Sequence, residues 1–343
     1  MLNRANPINS IKQELIGSLG CLLPRPFWIK NEDNGQLLVL CYHNLIQDVQ
    51  TLRSCNDYYF INIPVNIFEK QILWVMKHFD FVHLDDLLSG CHLPKNAAII
   101  TFDDGFKSTY THALPILHKL NIPATVFLTG NHIENQTVPW IAHLHGLLDQ
   151  ASLADRILFY QGETFRLASF SHKIKLLKKL KQKFKALTNQ VINKSMKALE
   201  QDLDVSVLSE SINESFMNND EIITLGKHNW TIGNHTYHHL NLKNLDKNKT
   251  KREIESTREI LTKFGHYRDV LALPFGGNSS YSSETIQAAK ETGMKLMFTT
   301  NGTNNYKKRN SIVNRVICET YSFRYFLFNV TGKKEAFLQL FSQ

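Results

Sequence analysis

Apolar runs that end on polar residues recur along the chain and predict strands of a parallel sheet. The first runs lie at 36–43, 97–105 and 123–129, and helices are predicted at 67–76 and 109–120. A continuous apolar run bounded by a turn signal is typical of a strand that is buried on both faces. The alternation of such strands with helices predicts βα units around a shared core.

Residues 133–216 interrupt this alternation, which resumes after them and ends with a strand predicted at 312–317. Within the interruption, 171–203 has apolar residues on one helical face and lysines at many other positions, which predicts one long amphipathic helix. Either its apolar face packs on the domain, or the segment 171–201 lies on an anionic membrane surface. The same two interpretations apply to 11–28, which mixes apolar, aromatic and charged residues.

Two adjacent carboxylates, Asp103 and Asp104, end the second predicted strand and precede Gly105. In barrels and open α/β sheets, the C-terminal ends of parallel strands carry the chemistry. Adjacent strand residues point to opposite sides, so one carboxylate can bind a metal while the other moves protons. The alternative is a polar turn, because Asp-Gly is a common turn pair.

A second polar strand end, His235-Thr-Tyr-His-His239, follows a short predicted strand. Two imidazoles four residues apart on a helical turn point the same way and can ligate one metal. Two histidines and one carboxylate leave positions open for water and substrate, which is typical of a catalytic metal site. His238 leaves open which two of the three histidines would serve as ligands.

The composition is that of an ordinary globular protein. The chain has 343 residues, of which 43% are hydrophobic and 20% are charged, which suits one large or two medium domains. The formal net charge is +8, but no RNA-binding or helix-turn-helix motif accompanies it, so nucleic acid is not an expected partner.

Cysteine usage and the lack of targeting signals indicate the cellular compartment in which the protein is expected. The cysteines are odd in number, scattered and without CxxC spacing, which indicates neither a disulfide framework nor a zinc ribbon. They are Cys21, Cys41, Cys55, Cys91 and Cys318. A secretory signal and an apolar run of ~18 residues are both lacking, so a cytoplasmic location is expected, with peripheral contact to the inner membrane face as a variant of it.

The segments Thr101-Phe-Asp-Asp-Gly105 and His235-Thr-Tyr-His-His239 resemble the first two motifs of the polysaccharide deacetylases, the NodB-homology group of carbohydrate esterase family 4. The resemblance covers about 36–132 and 217–320. It implies an α/β fold, a distorted (β/α) barrel with a helical insertion. The implied organisation is an extension at 1–35, a barrel domain at 36–330 with the insertion at 133–216, and a tail at 331–343.

Position by position, the resemblance implies a role for each of the four motif residues. Asp103 is expected to be the general base, and Asp104, His235 and His239 are expected to ligate a divalent metal. Zinc is the expected metal, with cobalt, nickel or manganese as alternatives.

The third family motif, Arg-x-Pro-Tyr, corresponds here to Ala272-Leu-Pro-Phe275. The proline and an aromatic residue persist, so the backbone N–H of Phe275 is expected to serve the oxyanion. The arginine that usually steadies the base is missing, and Arg315 near the last strand is the expected substitute.

The family's late Leu-x-His motif, which supplies the usual acid, is also missing from the corresponding segment Asn314-Arg-Val-Ile-Cys318. Tyr42-His43 is similar to the early pair of the poly-N-acetylglucosamine deacetylase branch, in which this histidine is the acid and the third motif also lacks its arginine. His43 is therefore expected to be the acid. The alternative is a histidine of the core.

Taken together, the resemblance implies a hydrolase that removes acetyl groups from N-acetylated sugars of a surface polysaccharide or of its lipid-linked precursor. Two alternatives follow from the missing arginine and histidine and from the basic insertion. One is a glycan-binding protein with a degenerate site, and the other is a deformylase of a lipid-linked amino sugar.

Overall fold

The computed structural model describes most of the barrel and of the insertion. The described residues are 14–16, 18, 36–47, 62–137, 139–152, 156–160, 163–205, 215–302, 311–320 and 322–332. Most of the predicted extension 1–35, of the segment 11–28 and of the tail 331–343 lies outside them. No helix in the described ranges combines the length and the apolarity needed to cross a bilayer.

The described strands and helices follow the predicted alternation outside the insertion. The strands are β1 (Gln36–Tyr42), β2 (Asn44–Ile46), β3 (Asn62–Pro64), β4 (Asp80–Phe81), β5 (Asn96–Phe102), β6 (Ala124–Leu128), β7 (Arg156–Tyr160), β8 (Glu163–Leu167), β9 (Thr231–Asn234), β10 (Tyr267–Ala272), β11 (Leu296–Thr299), β12 (Ile312–Asn314) and β13 (Val316–Ile317). The α-helices are α1 (Val65–Met76), α2 (Leu84–Ser89), α3 (Leu114–Lys119), α4 (Gly130–Asn135), α5 (Trp140–Gln150), α6 (Phe170–Phe184), α7 (Asn189–Leu203), α8 (Asn219–Lys227), α9 (Lys247–Leu261), α10 (Ser283–Glu291) and α11 (Phe323–Val330).

One nine-stranded parallel sheet forms the body of the fold, in the order β12-β11-β10-β9-β6-β5-β1-β13 with β4 paired to β5. β12 and β13 are separated only by Arg315, yet they pair with β11 and β1 at opposite ends of the sheet. The chain therefore crosses between the two edges at Arg315 and nearly closes the sheet. This confirms the predicted distorted (β/α) barrel and divides the single strand predicted at 312–317 into two.

The inside of the barrel changes from apolar to polar along the strands. One buried cluster takes every second residue of the long strands, among them Leu37, Val39, Ala97, Ile99, Val270, Ala272, Leu296, Phe298 and Val313. Because side chains alternate between the two faces of a strand, the same stripe continues to His43 after β1 and to Asp103 after β5. The intervening residues pack against the surrounding helices. Period-two alternation therefore delivers polar groups to the C-terminal mouth of the barrel.

Gly233 on β9 is required by the packing below the site. A Cβ atom at this position would lie 2.6 Å from Cδ1 of Phe127. The Phe127 ring fills the barrel there, and its centroid lies 5.3 Å from the guanidinium carbon of Arg315. A larger residue would therefore displace the floor of the site two positions before His235.

The insertion has a hydrophobic core of its own. Helices α5, α6 and α7 and one face of the antiparallel hairpin of β7 and β8 bury apolar side chains in a cluster distinct from the barrel clusters. Leu240 and Phe275, which follow β9 and β10, join or contact this cluster and so connect it to the barrel mouth. The helical insertion predicted at 133–216 also contains this antiparallel hairpin.

The single helix predicted at 171–203 is instead two helices, α6 and α7. Thr188 is extended at φ −77° and ψ 158° and begins α7 as its N-cap, while Leu187 packs against the insertion core. The break changes the helical phase, so Val191 is 44% exposed and Ile192 is buried. Most other apolar side chains of both helices lie in the insertion core and do not face solvent.

Candidate metal centre and catalytic site

Neighbouring strands end side by side and place the candidate residues together. Tyr42 at the end of β1 is in register with Phe102 at the end of β5, and the backbone N–H of Asp103 donates to the carbonyl of Tyr42 at 2.9 Å. The backbone N–H of His235 likewise donates to the carbonyl of Leu128, the last residue of β6, at 2.9 Å. The hydrogen bonds that hold the sheet together thus extend into the site.

Asp104, His235 and His239 form a buried cluster with the donor set of a metal site. Their potential ligand atoms all lie within 4.8 Å of one another. Nε2 of His235 and Nε2 of His239 each lie 3.4 Å from Oδ1 of Asp104. That oxygen is buried and accepts no hydrogen bond from the described residues.

The tautomer of His235 shows that a cation fits this cluster. Nδ1 of His235 lies 2.8 Å from the carbonyl oxygen of Ala272, so Nδ1 carries the proton and donates it. In the neutral ring Nε2 then carries a lone pair, which faces the lone pairs of Asp104 Oδ1. Buried acceptors that face one another are unfavourable unless a cation lies between them. Two imidazole nitrogens and one carboxylate oxygen suit zinc and leave further positions for substrate and water.

His239 is held in position by the insertion and by backbone geometry. Its φ is 54°, and its carbonyl accepts a hydrogen bond from Nε1 of the buried Trp140 at 3.1 Å. Burial lowers the pKa of His239 to about 4. The ring is therefore neutral at pH 7, which is the form that ligates a metal.

The third histidine of this segment faces away from the cluster. Nδ1 of His238 lies 2.7 Å from Oε1 of Glu253, and the His238 backbone N–H donates to Oε2 of the same carboxylate at 2.8 Å. The structure therefore brings His235 and His239, but not His238, to Asp104.

This geometry gives a test of the ligand set. His235→Ala is expected to lower zinc affinity by more than the ~10–100-fold that loss of a supporting hydrogen bond causes. His238→Ala is the matched control from the same segment and is expected to keep stoichiometric zinc. Equilibrium dialysis followed by elemental analysis measures both. Stoichiometric zinc in His235→Ala would show that the metal binds elsewhere.

Asp103 is bound by a buried arginine rather than by the histidines. Nη1 of Arg315 donates to Oδ1 of Asp103 at 2.6 Å, and Nη2 donates to Oδ2 at 2.7 Å. Burial opposes ionisation of Asp103, but the Arg315 charge outweighs it and holds the pKa of the carboxyl below its usual value. Bidentate pairing fixes the plane of the carboxylate as well as its charge.

Arg315 reaches Asp103 from the point where the chain crosses between the sheet edges. Its side chain is fully buried. Nε donates to the carbonyl of Thr299 at 3.3 Å, and Nη1 also donates to Oγ1 of Thr101 at 3.1 Å. The guanidinium is therefore anchored to β11 and β5 on either side of the closing chain.

His43 pairs with Glu319, a residue that the sequence analysis missed. Nδ1 of His43 lies 2.7 Å from Oε1 of Glu319, and the carboxylate is completely buried while the imidazole is 19% exposed. Burial favours the neutral ring, but Glu319 outweighs it and raises the pKa of His43 to about 9. Since Cys41 is in register with Ile317 on β13, the continuation of that register places His43 beside Glu319.

A second cluster beside the first consists of Cys41, His43 and Asp103, whose potential ligand atoms also lie within 4.8 Å of one another. Both oxygens of Asp103 already accept hydrogen bonds from Arg315. Burial raises the pKa of the Cys41 thiol well above its usual value, and Sγ lies 3.6 Å from Oδ2 of Asp103. A protonated thiol and an occupied carboxylate are poor ligands, so this cluster suits proton chemistry better than metal binding.

Phe275 forms one wall of the mouth. Its φ is 64°, and its ring centroid lies 4.9 Å from that of His239 and 6.1 Å from that of Trp140. The described residues supply no hydrogen-bond acceptor for the Phe275 backbone N–H. This N–H therefore has hydrogen-bonding capacity available for a ligand.

Solved structures share this fold. A deacetylase from Streptococcus pyogenes, PplD in complex with acetate, matches with a TM-score of 0.55 at 16% identity, over 86% of this chain and 97% of that one. IcaB from Ammonifex degensii matches with a TM-score of 0.54 at 18% identity, over 86% of this chain and 96% of that one. These likenesses support the NodB-type barrel.

Sequence comparison identifies a similar protein and a matching family. The poly-beta-1,6-N-acetyl-D-glucosamine N-deacetylase of Staphylococcus epidermidis is 29% identical over 188 residues, which are 50% of this chain and 63% of that protein. The chain thus spans just under two thirds of that relative. The polysaccharide deacetylase family profile matches residues 92–297, more than half of the chain. The chain therefore belongs to the polysaccharide deacetylase family.

Proposed function

We propose that the chain is a metal-dependent hydrolase that removes acetyl groups from N-acetylated sugars of a surface polysaccharide or of its lipid-linked precursor. The observation that carries the proposal is the difference in surroundings between two adjacent carboxylates. Asp104 faces two histidine Nε2 atoms, whereas Asp103 is bound by Arg315. The name of the Staphylococcus epidermidis relative supports an N-acetylated glycan as the substrate class.

Asp103 is the base in this proposal. When bound by Asp104, His235 and His239, a divalent metal such as zinc supplies Lewis acidity that polarises the acetyl carbonyl and lowers the pKa of water. Asp103 is ionised at neutral pH because Arg315 outweighs the effect of burial. Its Oδ2, which lies 3.9 Å from Nε2 of His235, takes the proton of the attacking water.

His43 is the acid. Glu319 accepts a hydrogen bond from Nδ1–H of the protonated ring, which leaves Nε2–H to donate to the nitrogen that departs with the sugar. An amine leaves poorly unless it is protonated, so a histidine that is still charged at neutral pH suits this step. The backbone N–H of Phe275 donates to the oxyanion, a contact of the kind whose loss costs ~3–4 kcal/mol.

Acetate release from defined oligosaccharides tests the proposal. Zinc-loaded protein is incubated with β-1,6-linked N-acetylglucosamine oligomers and, separately, with N-formylated oligomers, and the free acid is measured. Acetate release that EDTA abolishes and zinc restores is expected. Release of formate alone would identify a deformylase, and tight sugar binding without release of either acid would identify a glycan-binding protein.

The His43–Glu319 pair predicts a pH dependence. The acid must be protonated, so kcat is expected to fall as the pH rises through about 9, the pKa that Glu319 gives to His43. In Glu319→Gln the charge that raises this pKa is gone, and the pKa returns toward ~6.5 or below. The basic limb of the kcat profile is then expected to move down by ~2 pH units or more. The profile is measured by acetate release from pH 5 to about 10.

A second histidine–carboxylate pair supplies the control. In the insertion, His143 Nε2 lies 2.9 Å from Glu200 Oε1, and Glu200→Gln is expected to leave the profile unchanged. A basic limb that stays in place in Glu319→Gln would assign the acid to another group.

A further inference from the structure

Three lysines in the second half of helix α6 and at its end have different surroundings. Lys179 and Lys183 contact the Glu163 carboxylate of the hairpin, with the Lys183 pair at 3.2 Å. Lys185, at the end of the same helix, lies instead at the barrel mouth, with Nζ 4.1 Å from the ring centroid of Phe275. The insertion therefore brings a cation to the mouth of the barrel.

Lys185 is fixed in this place from two sides. Nδ2 of Asn244, in the barrel loop after His239, donates to the Lys185 carbonyl at 2.7 Å. The Phe275 ring beneath Nζ is the same ring that packs on His239, so one aromatic ring separates the ammonium group from the metal cluster. Within the described ranges, no carboxylate lies at ion-pair distance from Lys185.

A second lysine lies one helical turn before Lys185. Lys181 and Lys185 are four residues apart, so their side chains leave the helix on the same face. Both are half-buried. Burial and then the Lys185 charge lower the pKa of Lys181 to about 8, while Asp104 acts in the opposite direction. Lys181 is thus within electrostatic range of both the neighbouring lysine and the metal cluster.

Two half-buried ammonium groups on one face repel each other and lose hydration, and an anion between them would relieve both effects. Lysine is a common ligand of carboxylate and phosphate groups. We propose that Lys181 and Lys185 form a subsite for an anionic group of the substrate, a carboxylate or a phosphate, beside the sugar that loses its acetyl group. This inference rests on the proposed deacetylase function and narrows its substrate to an N-acetylated sugar that carries or adjoins a negative charge.

Three N-acetylated compounds distinguish the sources of that charge. They are a hyaluronan tetrasaccharide with carboxylates, N-acetylglucosamine 1-phosphate with a phosphate, and neutral chitotetraose. The measurement is kcat/KM for acetate release by zinc-loaded wild type, by Lys181→Gln/Lys185→Gln and by Lys183→Gln. Lys183 is the matched control because it lies on the same helix and pairs with Glu163.

Wild type is expected to prefer at least one anionic compound over chitotetraose. The double variant is expected to lower this preference by about tenfold or more, through KM, because a charged hydrogen bond is worth about that factor. Salt at ~0.5 M is expected to weaken the preference in wild type, since screening is strong at that concentration. Lys183→Gln is expected to keep the wild-type preference.

Two results would overturn the subsite. One is a wild type without preference for either anionic compound, and the other is a double variant that loses chitotetraose and anionic turnover equally. If wild type releases acetate from none of the three, the proposed function is decided by acetate release from the β-1,6-linked oligomers. The subsite is then decided by calorimetry on EDTA-treated protein with the two anionic compounds. Tighter binding by wild type than by the double variant supports it, and equal binding overturns it.

Discussion

Replacement of Asp103 by asparagine is expected to lower kcat by about 10²–10⁴-fold, the contribution that a positioned base usually makes. Asparagine has nearly the shape of aspartate, but its amide does not take up the proton of the attacking water. Asp103 is not part of the ligand cluster of Asp104, His235 and His239, so the substitution leaves all three candidate metal ligands in place. The rate of acetate release by zinc-loaded protein measures the effect.

The control for this variant concerns folding, because asparagine leaves the buried Arg315 without an anionic partner. Removal of one partner of a buried pair destabilises by ~3–5 kcal/mol, and urea unfolding shows whether the variant stays folded at the assay temperature. Asp103→Ala with added formate is a second route, since the small carboxylate can restore part of the activity. A folded Asp103→Asn protein with the wild-type kcat would refute the base assignment.

Arg315→Met is expected to lower the free energy of unfolding by ~3–5 kcal/mol. The methionine leaves the Asp103 carboxylate buried without its counter-charge. Burial then dominates, so the pKa of Asp103 rises and the base becomes protonated at higher pH than in wild type. The acid limb of the kcat/KM profile is therefore expected to move to higher pH. Urea unfolding and the pH profile measure the two effects.

A second bidentate pair on this protein provides a matched control. Arg268 donates to both oxygens of Asp85 at 2.8 and 2.7 Å, but these side chains are 38% and 39% exposed. Arg268→Met is expected to cost only ~0–1 kcal/mol, since solvent screens an exposed pair. Equal losses in Arg315→Met and Arg268→Met would mean that the buried pair has no special role.

The polar strand ends were predictable because they follow from two local rules. Apolar runs locate parallel strands, and the residues just after them lie at one mouth of the barrel. Those rules place His43, Asp103 and His235 near one another without any knowledge of tertiary contacts. The resemblance to the family motifs then separated the roles expected of Asp103 and Asp104.

Glu319 was not predictable because its place depends on which strands pair. The sequence around 312–317 has the pattern of one strand, whereas its two halves pair with β11 and β1 at opposite edges of the sheet. Only the second pairing brings Glu319 beside His43. No local sequence pattern distinguishes a continuous strand from a segment whose two halves pair with opposite edges of the sheet. A search for an acid near the end of the chain, to partner a charged His43, would have raised Glu319 as a candidate.

Prediction from the sequence is similarly limited for the insertion. Its lysine-rich helical pattern was visible, but the break before Thr188 and the contact of Lys185 with Phe275 depend on packing between the insertion and the barrel. The hairpin had a detectable signal, because Leu158 and Tyr160, together with Ile157 and Phe159, form a short apolar run rich in aromatic residues, which is consistent with a strand. In the structure the first two are buried and the last two are exposed.

We propose separate roles for the adjacent carboxylates, Asp104 as metal ligand and Asp103 as base. The zinc content of Asp103→Asn and Asp104→Asn, measured side by side after dialysis, tests this proposal most directly. Asparagine tolerates the positive φ of position 104, so the second variant should keep the local backbone. Stoichiometric zinc in Asp103→Asn and its loss from Asp104→Asn is the expected result. Loss of zinc from Asp103→Asn, with retention in Asp104→Asn, would contradict the account.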